Sequence, residues 1–161
     1  MKNKYFIDTD TASDDAVALL MALEWHDVEV LGISVVSGNM SVEQGSINAR
    51  YTFELCKKDV PVYVGADAPL VKKREHADWF HGPDGMGNMN YPAPKLQETN
   101  EDFIEVLNNH INQHPDEITL VTLGPLTNVA NFIKKYPDSF LKLKNIVIMG
   151  GASNTVGNVT P

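Results

Sequence analysis

The chain has 161 residues, with 13 Lys plus Arg against 21 Asp plus Glu, and a formal net charge of −8. That acidic balance argues against nucleic-acid backbones and anionic membranes as main partners, because both attract basic patches. With 43% apolar and 21% charged residues and one cysteine, Cys56, the composition is that of a folded domain without an internal disulfide or a cysteine-based zinc site.

Lys4 to Asp8 reads as a short strand whose apolar run, Tyr5-Phe6-Ile7, is too short for a signal peptide. No stretch approaches the ~20 apolar residues of a membrane span, so a cytoplasmic protein is expected. Asp14 to Trp25 reads as a helix, with Ala16, Leu19, Leu20 and Leu23 at three- and four-residue steps. The β-branched run Val28 to Val36 predicts a buried strand. Ser41 to Lys57 predicts a helix opened by a Ser41/Gln44 capping box, with Cys56 a core residue on it. Val60 to Gly65 predicts a third strand, and Ala66 to Thr99 a long irregular stretch. Asn100 is placed to cap a helix running to Gln113. Glu117 to Leu123 predicts a fourth strand. Gly124-Pro125 should open a further helix, with Pro125 at its first position, ending near Tyr136. Asn145 to Met149 predicts a fifth strand.

Alternating strands and helices imply parallel strands joined by crossover helices. The fold class is therefore α/β, a doubly wound, mostly parallel sheet with helices on both faces, with residues 1–161 forming a single domain. Ligands of such sheets bind at the carboxyl ends of the strands. After the first strand comes Asp8-Thr9-Asp10-Thr11-Ala12-Ser13-Asp14-Asp15, with four carboxylates in eight residues. A helix N-terminus favours acids, which accounts for Asp14 and Asp15. Asp8 and Asp10 lie two apart, on one side of an extended segment. Packed carboxylates repel unless a cation is present, and an all-oxygen cluster suits calcium or magnesium.

Asn39 follows the second strand in Ser37-Gly38-Asn39, where it is either a turn residue or an amide facing a ligand. The Leu123 carbonyl ends the fourth strand, before a helix start. Met149-Gly150-Gly151 and then Gly157-Asn158 follow the fifth. His81, in His81-Gly82-Pro83-Asp84-Gly85-Met86-Gly87, is either a loop anchor or a ligand contact. His26, His76, His110 and His114 read as surface residues.

Together these segments resemble the inosine–uridine-preferring nucleoside hydrolases. The resemblance rests on Asp8-Thr9-Asp10-x-x-x-Asp14-Asp15-Ala16, Gly38-Asn39, the His81-to-Gly87 loop, Leu123-Gly124-Pro125-Leu126-Thr127-Asn128, and Met149-Gly150-Gly151 with Gly157-Asn158. It implies one Ca2+ ion at the sheet edge and hydrolysis of the N-glycosidic bond of ribonucleosides to ribose and free base by a calcium-bound water. By position, Asp10 resembles a calcium ligand that is also the general base, and Asp15 and the Leu123 carbonyl resemble further metal ligands. Asp14 resembles the carboxylate that holds ribose hydroxyls, Asn39 and Asn158 ribose-contacting amides, Met149 a residue near the sugar, and His81 one facing the leaving base. Asp8 resembles a residue that orders the loop. A homo-oligomer, dimer or tetramer, is implied as well.

Thr11-Ala12 stands where many members have Pro-Gly. The family's downstream His-Asp pair, which brings a calcium ligand and the leaving-group acid, has no counterpart here, so the resemblance covers the family's N-terminal half. With no helix following the fifth strand, the expectation is an incomplete and inactive fragment. Two other readings stand beside this one. A haloacid-dehalogenase-like phosphohydrolase would use Asp8 and Asp10 as nucleophile and acid. A non-catalytic module would bind calcium or nucleoside without turnover.

Overall fold

The computed structural model describes residues 2–157. In chain order the elements are β1 (Asn3–Thr9), α1 (Ser13–Glu24), β2 (Val28–Val35), α2 (Val42–Leu55), β3 (Val62–Val64), α3 (Asp78–His81), α4 (Phe103–Gln113), β4 (Ile118–Thr122), α5 (Thr127–Lys135), α6 (Pro137–Phe140) and β5 (Asn145–Ile148). The strands form one sheet in the order β3-β2-β1-β4-β5, and every pairing is parallel. β1 is central. The chain winds outward from it through β2 to β3, then returns to its other side through β4 to β5, which makes the carboxyl end of β1 the switch point of a doubly wound sheet.

Side-chain alternation along β1 feeds two cores. Phe6 joins Ile118 and Leu120 of β4 under Phe103, Leu107 and Ile111 of α4 and Val129 and Phe132 of α5. The next residue, Ile7, joins Ile33 and Val35 of β2 under Leu19 and Leu23 of α1 and Val42, Ala49 and Phe53 of α2. Cys56 is half-buried against this second core. β5 is different: Val147 and Ile148, with Met149 beyond them, are about half exposed. Among the described residues no helix is long and apolar enough to cross a membrane.

Several local expectations change. Asp102, not Asn100, caps α4, its side chain accepting from the Ile104 N–H at 2.9 Å. α5 begins at Thr127, because Gly124 and Pro125 are held against Asp10 and the Gly38 turn rather than in a helical turn. Ser41 does cap α2 through the Gln44 N–H at 3.2 Å, but the Gln44 side chain turns to Asn48 instead of completing the box. The short helices α3 and α6 have too few residues for a periodicity to announce them.

Candidate active site

The acidic turn between β1 and α1 leaves the sheet at its centre, and its carboxylates go to different places. Asp8, still on β1, is buried. Its Oδ1 accepts from Ser34 Oγ at 2.5 Å and from Asn128 Nδ2 at 2.7 Å, tying β1 to β2 and α5. Its Oδ2 is buried without a hydrogen-bond partner. Burial pushes this carboxyl up to about 7, against the two hydrogen bonds. Asp8 is thus placed to order the sheet end.

Asp10 lies one residue past the strand. The Asn39 N–H donates to its Oδ2 at 2.5 Å. A β-carbon at Gly38 would collide with the same oxygen, so the glycine is what lets the β2–α2 turn close over the carboxylate. The spacing argument put Asp8 and Asp10 on one side, yet Asp10 pairs with Asp15. The two carboxyls are close neighbours, and both are raised, chiefly by burial. Asp15 reaches about 7, with the charge of Asp10 adding to burial, although it stands in the first turn of α1. The Thr9 hydroxyl donates to Asp15 Oδ2 at 2.5 Å.

Desolvated carboxylates pressed together, beside an orphaned carboxylate oxygen, form an anionic, oxygen-only donor set. That chemistry fits a hard divalent cation. Among the described residues no three His, Cys, Asp or Glu side chains converge as a metal-binding group. A cation here would therefore draw on Asp10, Asp15, backbone carbonyls and water.

Two adjoining cavities open over this edge. One, about 670 Å³, is lined by Asp14, Asn39, His81 and Met149 together with Trp79 and Phe80. The other, about 510 Å³, is lined by Asp10, Gly38, Asn39, His76, Leu123 and Met149 among others. The structure thus brings Asp10, Asp14, Asn39, His81, Leu123 and Met149 to one edge from five separate segments. Asp15 lies beneath them and lines neither cavity. Asn158 falls outside the described residues.

His81 is buried at the end of α3, its Nδ1 3.3 Å from Ser13 Oγ and its ring edge-on to Phe80. Sequence reasoning missed His76, expected at the surface. It is half-buried, with Nδ1 2.9 Å from the Gly38 carbonyl, and it lines the Asp10 cavity. His110 and His114 are half-buried too; only His26 is exposed. Trp79 and Phe80 were also missed, although two adjacent aromatics in a polar loop were a visible signal.

The chain as a whole is similar to known proteins. The family described as inosine-uridine preferring nucleoside hydrolase matches residues 5–161. A probable uridine nucleosidase 1 of Oryza sativa subsp. japonica is 39% identical over 165 residues, covering 99% of this chain and 50% of its own length. Uridine nucleosidase 1 of Arabidopsis thaliana is 39% identical over 160 residues, covering 98% of this chain and 48% of its own length. A solved plant nucleoside hydrolase, PpNRh1, superposes with a TM-score of 0.93 at 34% identity, over 100% of this chain and 52% of that one. The chain spans about half the length of the curated relatives it matches. Motif order, sheet topology and superposition agree, and the chain belongs to the inosine-uridine preferring nucleoside hydrolase family.

Proposed function

We propose that this chain supplies the cation- and ribose-binding side of an enzyme that hydrolyses the N-glycosidic bond of ribonucleosides to ribose and free base. The observation that carries the reading is the meeting, at one sheet edge, of the buried Asp10–Asp15 pair with cavities lined by Asp14, Asn39, His81 and Met149. Asp10, Asp15 and the Leu123 carbonyl would hold a calcium ion. When bound, such a cation lowers the pKa of water at the site.

Asp10 is the general base: it faces the cavity, and the Asn39 N–H at 2.5 Å fixes the orientation of its carboxylate. Asp14 and Asn39 bind ribose hydroxyls. Met149 packs beside the sugar. His81, anchored through Ser13, faces the departing base. The surrounding carboxylates stabilise positive charge developing on the sugar. The sequence-level phosphohydrolase reading gives way to the family match.

Calorimetric calcium titration of the chain tests the assignment. Asp10→Ala and Asp15→Ala are each expected to weaken binding sharply, and unchanged affinity in both overturns it. In a protein carrying this segment at its relatives' full length, Asp10→Asn should slow ribose release from inosine or uridine by about 10²–10⁴-fold. The 161 residues alone are expected to bind without appreciable turnover.

A further inference from the structure

The side chain of Asn48, on the buried face of α2, is held by the acidic turn and the His81 loop at once. Its Nδ2 donates to the Thr11 carbonyl at 2.9 Å and to the Asp84 carbonyl at 3.0 Å. Its Oδ1 accepts from Gln44 Nε2 at 3.0 Å, and the Gln44 backbone is itself fixed by the Ser41 cap. Both amide protons and the amide oxygen are therefore used, with the side chain almost fully buried. Rotating the amide would set its oxygen against two carbonyls, so the network permits one orientation.

Each carbonyl it grips belongs to a segment that needs an anchor. Thr11 has φ 20°, at the border of the left-handed region, which costs a β-branched residue energy. Thr9 Oγ1 accepts from the Thr11 N–H at 3.0 Å, and Asn48 holds the other end of the residue. Asp84 organises the loop: its Oδ1 accepts from the Met86 and Asn88 N–H groups, both at 2.8 Å. The Gly87 N–H donates to the His81 carbonyl at 2.9 Å. A β-carbon at Gly85 would stand 2.9 Å from Asn48 Nδ2, so the loop packs directly onto the amide.

We infer that Asn48 is a positioning residue that locks the turn bearing Asp10, Asp14 and Asp15 to the loop bearing His81, so that the two sides of the site keep a fixed spacing. This rests on the functional reading for what the two sides bind, but the coupling is a property of the fold alone.

The test is hydrogen exchange on the 161-residue chain, with the His81 imidazole resonances followed by NMR and calcium as the added probe. Asn48→Leu keeps the branched shape of the side chain and removes both donors. Exchange should quicken about tenfold at both Asp10–Ala12 and Gly85–Asn88, while the amides of β1 and β4 keep their protection. The His81 resonances should shift, and calcium affinity should fall. Asp84→Ala should loosen the loop while leaving the acidic turn and calcium affinity unchanged. Asn48→Ser, which retains one donor, gives an intermediate response and stands in should Asn48→Leu fail to fold. Loosening confined to one segment overturns the inference, as does a uniform rise across the sheet. Wild-type chain that binds no calcium defeats the cation reading, and the exchange pattern still decides the role of Asn48.

Discussion

A β-carbon built on Gly38 would run into Asp10 Oδ2 and stand 2.7 Å from the Pro125 ring. Neither neighbour can give way cheaply, since Asp10 is also fixed by the Asn39 N–H. Gly38→Ala should therefore destabilise the chain by roughly 1–3 kcal/mol, as overpacking does, and turn the Asp10 carboxylate out of place. Thermal unfolding reads the first effect and calcium titration the second; unchanged calcium affinity would show that Asp10 tolerates displacement. At this scale the carboxylates were legible because their spacing is local. The pairing of Asp10 with Asp15 was less so, since it depends on how the chain enters α1 and not on strand alternation. Asn48 was not legible at all. Its two carbonyl partners lie 37 and 36 residues away, and nothing in an amphipathic helix marks one buried amide as a tie.

Between α4 and α5, Glu105 accepts from Tyr136 Oη at 2.8 and 2.9 Å and pairs with Lys135 Nζ at 2.5 Å. Lys135 and Tyr136 hold the Glu105 carboxyl below its ordinary 4.5. Glu105 in turn raises both Lys135 and Tyr136. A depressed acid contributes stability that is present above its unfolded value and lost as pH falls through the folded one. The raised amine and phenol contribute theirs below their unfolded values and lose it as pH rises through the folded ones. The cluster thus supports the helix pair from about pH 5 to about pH 10 and weakens outside that window. Glu105→Gln should flatten the acid limb of a melting-temperature profile measured from pH 3 to 6, whereas a parallel profile would show the cluster to be inert. The long elements were legible because apolar spacing and β-branched runs extend over several turns or residues. The cap of α4 and the start of α5 were not, because competing Asn, Asp, Gly and Pro signals stand side by side and tertiary contacts choose among them.

Across the molecule, the sheet is well covered except at β5. There Val147, Ile148 and Met149 are about half exposed, with Leu141 open nearby. A parallel strand is normally covered on both faces, and an apolar, unpaired strand edge invites association. The chain should self-associate with rising concentration in sedimentation velocity, and Val147→Lys with Ile148→Lys should suppress this while leaving the melting temperature nearly unchanged. Sedimentation as a monomer at all concentrations would refute the expectation. The doubly wound class followed directly from element alternation. The exposure of β5 was foreseen in outline because the strand runs directly into the Gly150-Gly151 loop.

The hydrogen bond from Asn128 to Asp8 joins residues 120 positions apart, and β1 meets β4 in a register that sets Lys4 beside Ile118. Closing so long a loop costs entropy that must be met before the contact gives any return. The edge that carries Asp10 and Leu123 therefore comes together only after most of the chain has found its place, and it cannot seed the search. Calcium should accordingly slow escape from the native state and leave the speed of reaching it unchanged. In denaturant-jump kinetics with and without calcium, the unfolding arm should drop while the refolding arm stays put; a refolding arm that rises with calcium would mean that the acidic turn is organised early.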